Sequence, residues 1–163
     1  MLRKVLNETR DSAIQELKTF ILETSVLLEK QGWEWFLSAD REVTEKFRPE
    51  LALLKRIPLT PDGNTHTIYG PTINMLNRFW HDVTHLSLGL GYDRQDELVV
   101  IGAQLRQLQE AGLSQLALEI FWYDMWGQTE YYEFNREFVV HQDAFVDLCL
   151  QRGINRAIRV HPL

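Results

Sequence analysis

The stretch FWHDVTHLSLGLGYDRQDE, residues 79–97, carries His81, Asp82 and His85 on one apolar segment and a further carboxylate, Glu97, beyond two glycines. In a helix, at about 100° per residue, His85 falls about 40° from His81, so the two imidazoles stack on one face and can share one ion. Asp82 lies three residues before His85 and flanks that face. Its carboxylate can act as a third ligand or orient an imidazole by accepting its N–H. If residues 89–92 turn the chain back antiparallel, Glu97 comes level with His85 and adds a fourth donor. Imidazole and carboxylate donors suit a divalent ion, zinc first, with iron or manganese as further choices. The chain has one cysteine, Cys149, so no thiolate zinc cluster can form.

A later segment adds candidates. Asp124 interrupts an apolar stripe of Leu113, Ala117, Ile120 and Tyr131, and a carboxylate there needs a partner to offset its desolvation. Gln128 is one helical turn on. Folded back across Gly112, both come towards the level of Glu97, with Asp124 placed to act as a catalytic base. Glu119 and Glu130 would extend the set to a two-metal carboxylate site of the ferritin-like kind, but the paired Glu-x-x-His repeats of such sites are missing. The plainer alternative holds no ion: the histidines bond to backbone or solvent, the acids form a solvated helix start, and the chain is a structural or interaction protein. His66 among turn residues and His161 near the end of the chain are expected to be exposed, and His141 to stand at a helix start. The aromatic cluster Phe121, Trp122, Tyr123, Trp126, Tyr131 and Tyr132 reads first as core packing. It reads second as a pocket for an apolar small molecule or a surface for a partner protein.

Two helices and a turn must position these groups. Pro71 or Thr72 can start a helix through INMLNRFWHDVTHLSL that stops at Gly89 and Gly91; Asp93 can then cap QDELVVIGAQLRQLQEA, which ends at Gly112. Ser114 opens QLALEIFWYDMWGQTEYYEF, apolar or aromatic nearly all the way round, which predicts a central buried helix. QDAFVDLCLQR predicts a last helix before Gly153. Upstream, Ile14, Leu17, Ile21 and Leu28 recur at near-helical spacing from about Asn7 to Gln31. WEWFLSADREVTEKF predicts a second short helix with Trp33, Phe36 and Leu37 docked, Arg41, Glu42 and Glu45 in water, and Pro49 at its end. RIPLTPDGNTHTIYGPT predicts a long irregular connection near residues 56–71, able to pass over the site. EFVV and AIRV near the C-terminus can be short extended pieces but lack the alternation of a sheet. The fold expected is all-α, one compact multi-helix domain spanning residues 1–163.

The order His81-Asp82-x-x-His85, eleven residues, then Glu97 resembles the zinc-ligand motif of the coenzyme Q (ubiquinone) biosynthesis accessory family. Gly89 and Leu90 fall where that family tends to have Gly-Leu. The resemblance implies a mostly helical protein that binds a metal and a lipid, with His81, Asp82, His85 and Glu97 all as ligands. HDVTHLSLG is also similar to the His-Asp segment of metal-dependent phosphohydrolases. That resemblance implies a further upstream histidine and a later aspartate, for which only His66 and Asp124 are available, and a metal on His81 and Asp82 that activates water.

Composition narrows the classes. With 45% hydrophobic and 25% charged residues among 163, the chain can build a real core. A formal charge of −6 argues against a general phosphate-binding surface, so no nucleic acid is expected as a partner. No apolar run approaches membrane-spanning length and MLRKVLNETRDSAIQELK lacks a signal-peptide core, so the expected location is cytoplasmic. Cys149 in VDLCLQR is expected to be a buried small residue. There is no P-loop, dinucleotide fingerprint or nucleophile elbow.

Overall fold

A computed structural model describes residues 2–40 and 49–160. In chain order the elements are α1 (Leu2–Lys30), β1 (Glu34–Leu37), α2 (Pro49–Leu54), β2 (Arg56–Leu59), α3 (Pro71–Leu88), α4 (Arg94–Glu110), α5 (Gln115–Asn135), α6 (Gln142–Arg152) and α7 (Ile154–Val160). The fold is all-α, a packed set of helices with one two-stranded parallel ribbon at its edge. Among the described residues no helix is long and apolar enough to cross a membrane.

α5 is the central helix, as its all-round apolar sequence predicts. It packs against α1, α4, α6 and α7 and buries Ala117, Ile120, Phe121, Trp126 and Tyr131. Phe121 lies against Trp80 of α3, with ring centroids 5.5 Å apart, and Phe20 of α1 meets the same indole edge-on at 5.3 Å. Such tilted and edge-to-face contacts match the positive ring edge to the negative face. Gly127 lets α6 come close, because a Cβ there would stand 3.0 Å from the Phe145 ring. Cys149 is fully buried and burial pushes its thiol up to about 12, which makes it an inert packing residue.

The N-terminal third departs from expectation most in its first strand. Glu34–Leu37 do not continue a helix; they form β1, paired with β2 from Glu34 to Arg56 through Leu37 to Leu59. Gly32, at φ 90°, ends α1 with a left-handed turn, and the aromatic run that follows suits an extended ribbon better than a helix. Ile57 and Leu59 pack under α3, while Trp33 docks with 8% exposure. Phe36 and Leu37 do not dock and stay exposed. Pro49 starts α2 where a helix end was expected, since its missing N–H costs nothing at a first turn. Arg41, Glu42 and Glu45 lie outside the described residues, as does His161. The connection near residues 56–71 is shorter than expected, because Arg56–Leu59 is strand and only the part from Thr60 to Gly70 is irregular. Ala157 to Val160 belong to α7, and the stretch from Glu137 to Val140 is irregular.

Candidate metal centre

Local chemistry sets the turn that builds the site. α3 ends at Gly89, which takes the left-handed conformation at φ 68°, and Leu90 N–H then donates to the His85 carbonyl at 3.0 Å. Gly91 N–H donates to Asp96 Oδ2 at 2.7 Å, a closeness that makes a side chain there tight, since a Cβ would sit 3.2 Å from that oxygen and the Asp96 carboxylate would have to shift. Asp93 caps α4 by accepting from the Gln95 and Asp96 amides. This reversal lays the first turn of α4, which carries Glu97, against the last turns of α3.

His81, His85 and Glu97 converge there, and one ligand atom from each lies within 4.8 Å of the others. His81 Nε2 is 3.0 Å from His85 Nε2 and 3.2 Å from Glu97 Oε2, and His85 Nε2 is 3.5 Å from Glu97 Oε1. Ligands bound at about 2.1 Å to one ion stand about 3.0 Å apart in octahedral and about 3.4 Å apart in tetrahedral geometry. The separations fall near those values, with the two imidazoles meeting different oxygens of Glu97, so the donor set fits a metal ion. His85 is fully buried and His81 and Glu97 nearly so, with side-chain exposures of 12% and 16%.

Asp82, the fourth member of the motif, points elsewhere in the cluster. Its Oδ1 accepts the Tyr92 hydroxyl at 3.0 Å, and the Tyr92 ring stacks on His85 with centroids 4.2 Å apart. Tyr92 thus ties Asp82 to the orientation of His85. Gln104 of α4 meets the other ring, its Oε1 2.9 Å from His81 Nδ1.

Without an ion the three groups share protons. Burial alone would lower His81, but the Glu97 charge and hydrogen bond overcome it and raise the imidazole to about 9. His85 is lowered, first by burial and then by the charge on His81, with Glu97 opposing. Burial would raise Glu97, yet the His81 charge and the hydrogen bonds from both rings hold it well below the ordinary carboxylate range. A proton therefore sits where an ion would bind. Asp82 is pushed up to about 7 by burial, against the pull of His81 and Tyr92.

The cluster opens on a cavity of about 460 Å³. His81, Asp82 and Glu97 form one side; Arg78, Asp124 and Gln128 line the same space. Asp124 is 2% exposed, accepts from Gln128 Nε2 at 2.8 Å and has the buried Tyr69 hydroxyl beside it. Burial lifts its carboxyl to about 6, while Tyr69, Gln128 and the Arg78 charge pull it down. Thr60, Asp62 and Gly63 of the irregular connection also line the cavity, so that segment does pass along the site.

No family model, curated protein or solved structure matches the chain. The residues alone carry the functional argument.

The other candidates sit apart from the cluster. Glu130 pairs with Arg94 at 2.7 Å and Glu119 accepts from Gln115 on the surface. His66 is exposed and its ring lies tilted against that of His141, which stands at the start of α6, with centroids 4.4 Å apart. Of the aromatic cluster, Phe121, Trp126 and Tyr131 are core, whereas Tyr132 lines the cavity and stacks on Phe138 at its rim. Tyr92, Gln104 and Arg78 were missed from the sequence. Gln104 alone left a readable signal: it is the one polar member of the buried α4 face formed with Val100, Ile101 and Leu108.

Proposed function

We propose that this protein binds one divalent ion on His81, His85 and Glu97 and uses it, with Asp124, on a substrate held in the adjoining cavity. The observation that carries the reading is the convergence of three donor atoms at ligand-sharing distances, two of them, from His81 and Glu97, on residues that line a cavity. Zinc is the first choice and iron or manganese the others. Two imidazoles and one carboxylate leave coordination positions for water or substrate, as in catalytic sites, whereas a purely structural zinc has four protein ligands. When bound, the ion would supply Lewis acidity and lower the pKa of a water on it.

The chain's own residues supply the rest. Tyr92 holds Asp82 by its Oδ1 and packs on the His85 ring, keeping the cluster in register. Asp124 near 6 is mostly ionised at neutral pH and can take a proton at its carboxylate, with Gln128 holding Oδ1. Tyr132, Met125 and Phe138 give the cavity an apolar side that would take the non-polar part of a ligand. The resemblance of residues 81–97 to the coenzyme Q biosynthesis accessory motif points the same way, towards a metal and an apolar substrate.

The test separates ion binding from chemistry. Asp124→Asn is expected to keep the wild-type ion content while losing turnover of whichever hydrolase or oxidase substrate the loaded wild type accepts. An Asp124→Asn protein that turned over normally would remove Asp124 from the chemistry, and one that lost its ion would place Asp124 in the metal site instead.

A further inference from the structure

Gln104 is 0% exposed on a helix face otherwise made of Val100, Ile101 and Leu108. A primary amide buried among aliphatic side chains costs stability unless its polar atoms are used. Among the described residues its Nε2 has no partner, and the bond found there that justifies its place is that between Oε1 and His81 Nδ1, at 2.9 Å. Glu97 lies seven residues earlier on the same helix, two turns away, so one face of α4 touches His81 at both of its ring nitrogens.

The chemistry of that contact has a direction. An amide oxygen accepts and cannot donate, so His81 Nδ1 must carry its hydrogen. A neutral imidazole has only one N–H, and the lone pair is then on Nε2. Nε2 is the atom that faces His85 and Glu97. From this geometry we infer that Gln104 is a positioning residue, which fixes His81 in the tautomer that presents Nε2 as a metal donor and holds the ring plane towards the ion. The inference rests on the metal reading above. Outer partners of metal-bound histidines do this work in many sites, most often as carboxylates, and polarise the ring so that it donates more strongly. Here the acceptor is neutral, so the site gains the orientation without a third buried carboxylate beside Glu97 and Asp82.

The opposite orientation of the amide makes the inference falsifiable. If Gln104 presented its NH₂ to Nδ1, the Nδ1 lone pair would be occupied, the hydrogen would lie on Nε2, and the residue would oppose an ion. Removing it would then tighten binding.

The probe is cobalt(II), titrated into metal-free full-length protein and followed by its visible d–d absorption, with melting temperature measured on each variant. Gln104→Met keeps the length of the side chain and suits the apolar face, so it is expected to melt at or above the wild-type temperature. It should nevertheless bind cobalt about 10–100-fold more weakly. Gln104→Glu restores an acceptor for the same tautomer and should bind within the wild-type range or tighter. Gln104→Met binding as tightly as wild type, or more so, overturns the inference and leaves the metal site standing. Gln104→Glu binding as weakly as Gln104→Met also overturns it, because the acceptor would then be irrelevant. If wild type itself takes up no cobalt, the metal reading fails, and the role assigned to Gln104 falls with it.

Discussion

Stripped of divalent ions, the protein is expected to lose stability steadily as the pH rises from 6.5 to about 9, and zinc is expected to remove most of that loss. The sign follows from His81. Its folded pKa, near 9, lies above the ordinary 6.5 of an unfolded histidine, so the folded state holds a proton that the unfolded state has given up. That contribution is fully present below 6.5 and is gone once the pH passes about 9, a difference on the order of 1–3 kcal/mol. Asp82, raised to about 7, also holds a proton that the unfolded chain has given up and adds a fall of the same sign between 6.5 and about 8, whereas Asp124, raised to about 6, is largely titrated at the lower edge of the window. Glu97, held low, stays ionised throughout, and His85, lowered, stays neutral above 6.5. In the loaded protein an ion replaces the proton on His81, so neither folded nor unfolded histidine binds a proton above 6.5 and the His81 part of the slope disappears. The same competition should weaken zinc binding by about tenfold for each pH unit below about 9. Denaturant unfolding at a series of pH values, with chelator and with zinc at one fixed concentration about 100 times its Kd at pH 6.5, reads both effects, the ligand adding about 2.7 kcal/mol there and more as its affinity rises with pH. A metal-free protein of constant stability between 6.5 and 9 would show that His81 and Glu97 are not coupled in this way.

Glu97→Gln should give the largest change of any conservative substitution. The amide keeps the shape of the side chain but removes the charge that holds the His81 proton. Burial then dominates, and the His81 pKa falls from about 9 towards or below 6.5. The alkaline loss of stability in the metal-free protein should therefore flatten. Zinc affinity should also fall by more than the roughly 100-fold that losing an outer partner can cost, because a charged ligand has gone. Calorimetric zinc titration and the same unfolding series check the two halves together. Flattening without a loss of affinity would keep the His81–Glu97 pair but remove Glu97 from the ion. Loss of affinity with an unchanged pH slope would mean that another group holds the His81 proton.

The helices that build the site were legible because their ends were written in strong local chemistry. Gly89, Asp93, Gly112, Ser114 and Gly153 stand at or next to helix ends, where left-handed turns and side-chain caps require residues of those types. With those ends fixed, helix periodicity put His81 and His85 on one face and the reversal brought Glu97 to them. The ribbon was not legible. Trp33 to Leu37 carry too few residues for a period to declare itself, and the partner strand contains Pro58, which reads as a breaker in isolation. Pairing with a strand some twenty residues on is a tertiary fact.

Within the site, the sequence pointed to the candidate donors better than to the groups that orient them. Histidine and carboxylate at helical spacing are a recognisable pattern, whereas Tyr92 and Gln104 are ordinary residues until the turn at Gly91 and the packing of α4 on α3 bring them to the rings. Asp82 shows the same limit. Its spacing allowed it to be ligand or support, and only the Tyr92 hydroxyl reveals what its Oδ1 contacts. Asp124 was marked by its burial among apolar neighbours, and the structure places it on the same cavity as the cluster.

Elemental analysis of protein purified without an affinity tag, wild type beside His81→Ala/His85→Ala, tests the metal centre most directly. The expected result is about one zinc, iron or manganese per wild-type chain and none in the double variant. A wild type that stays empty after being offered each of those ions in turn, or a double variant that retains its ion, would contradict it.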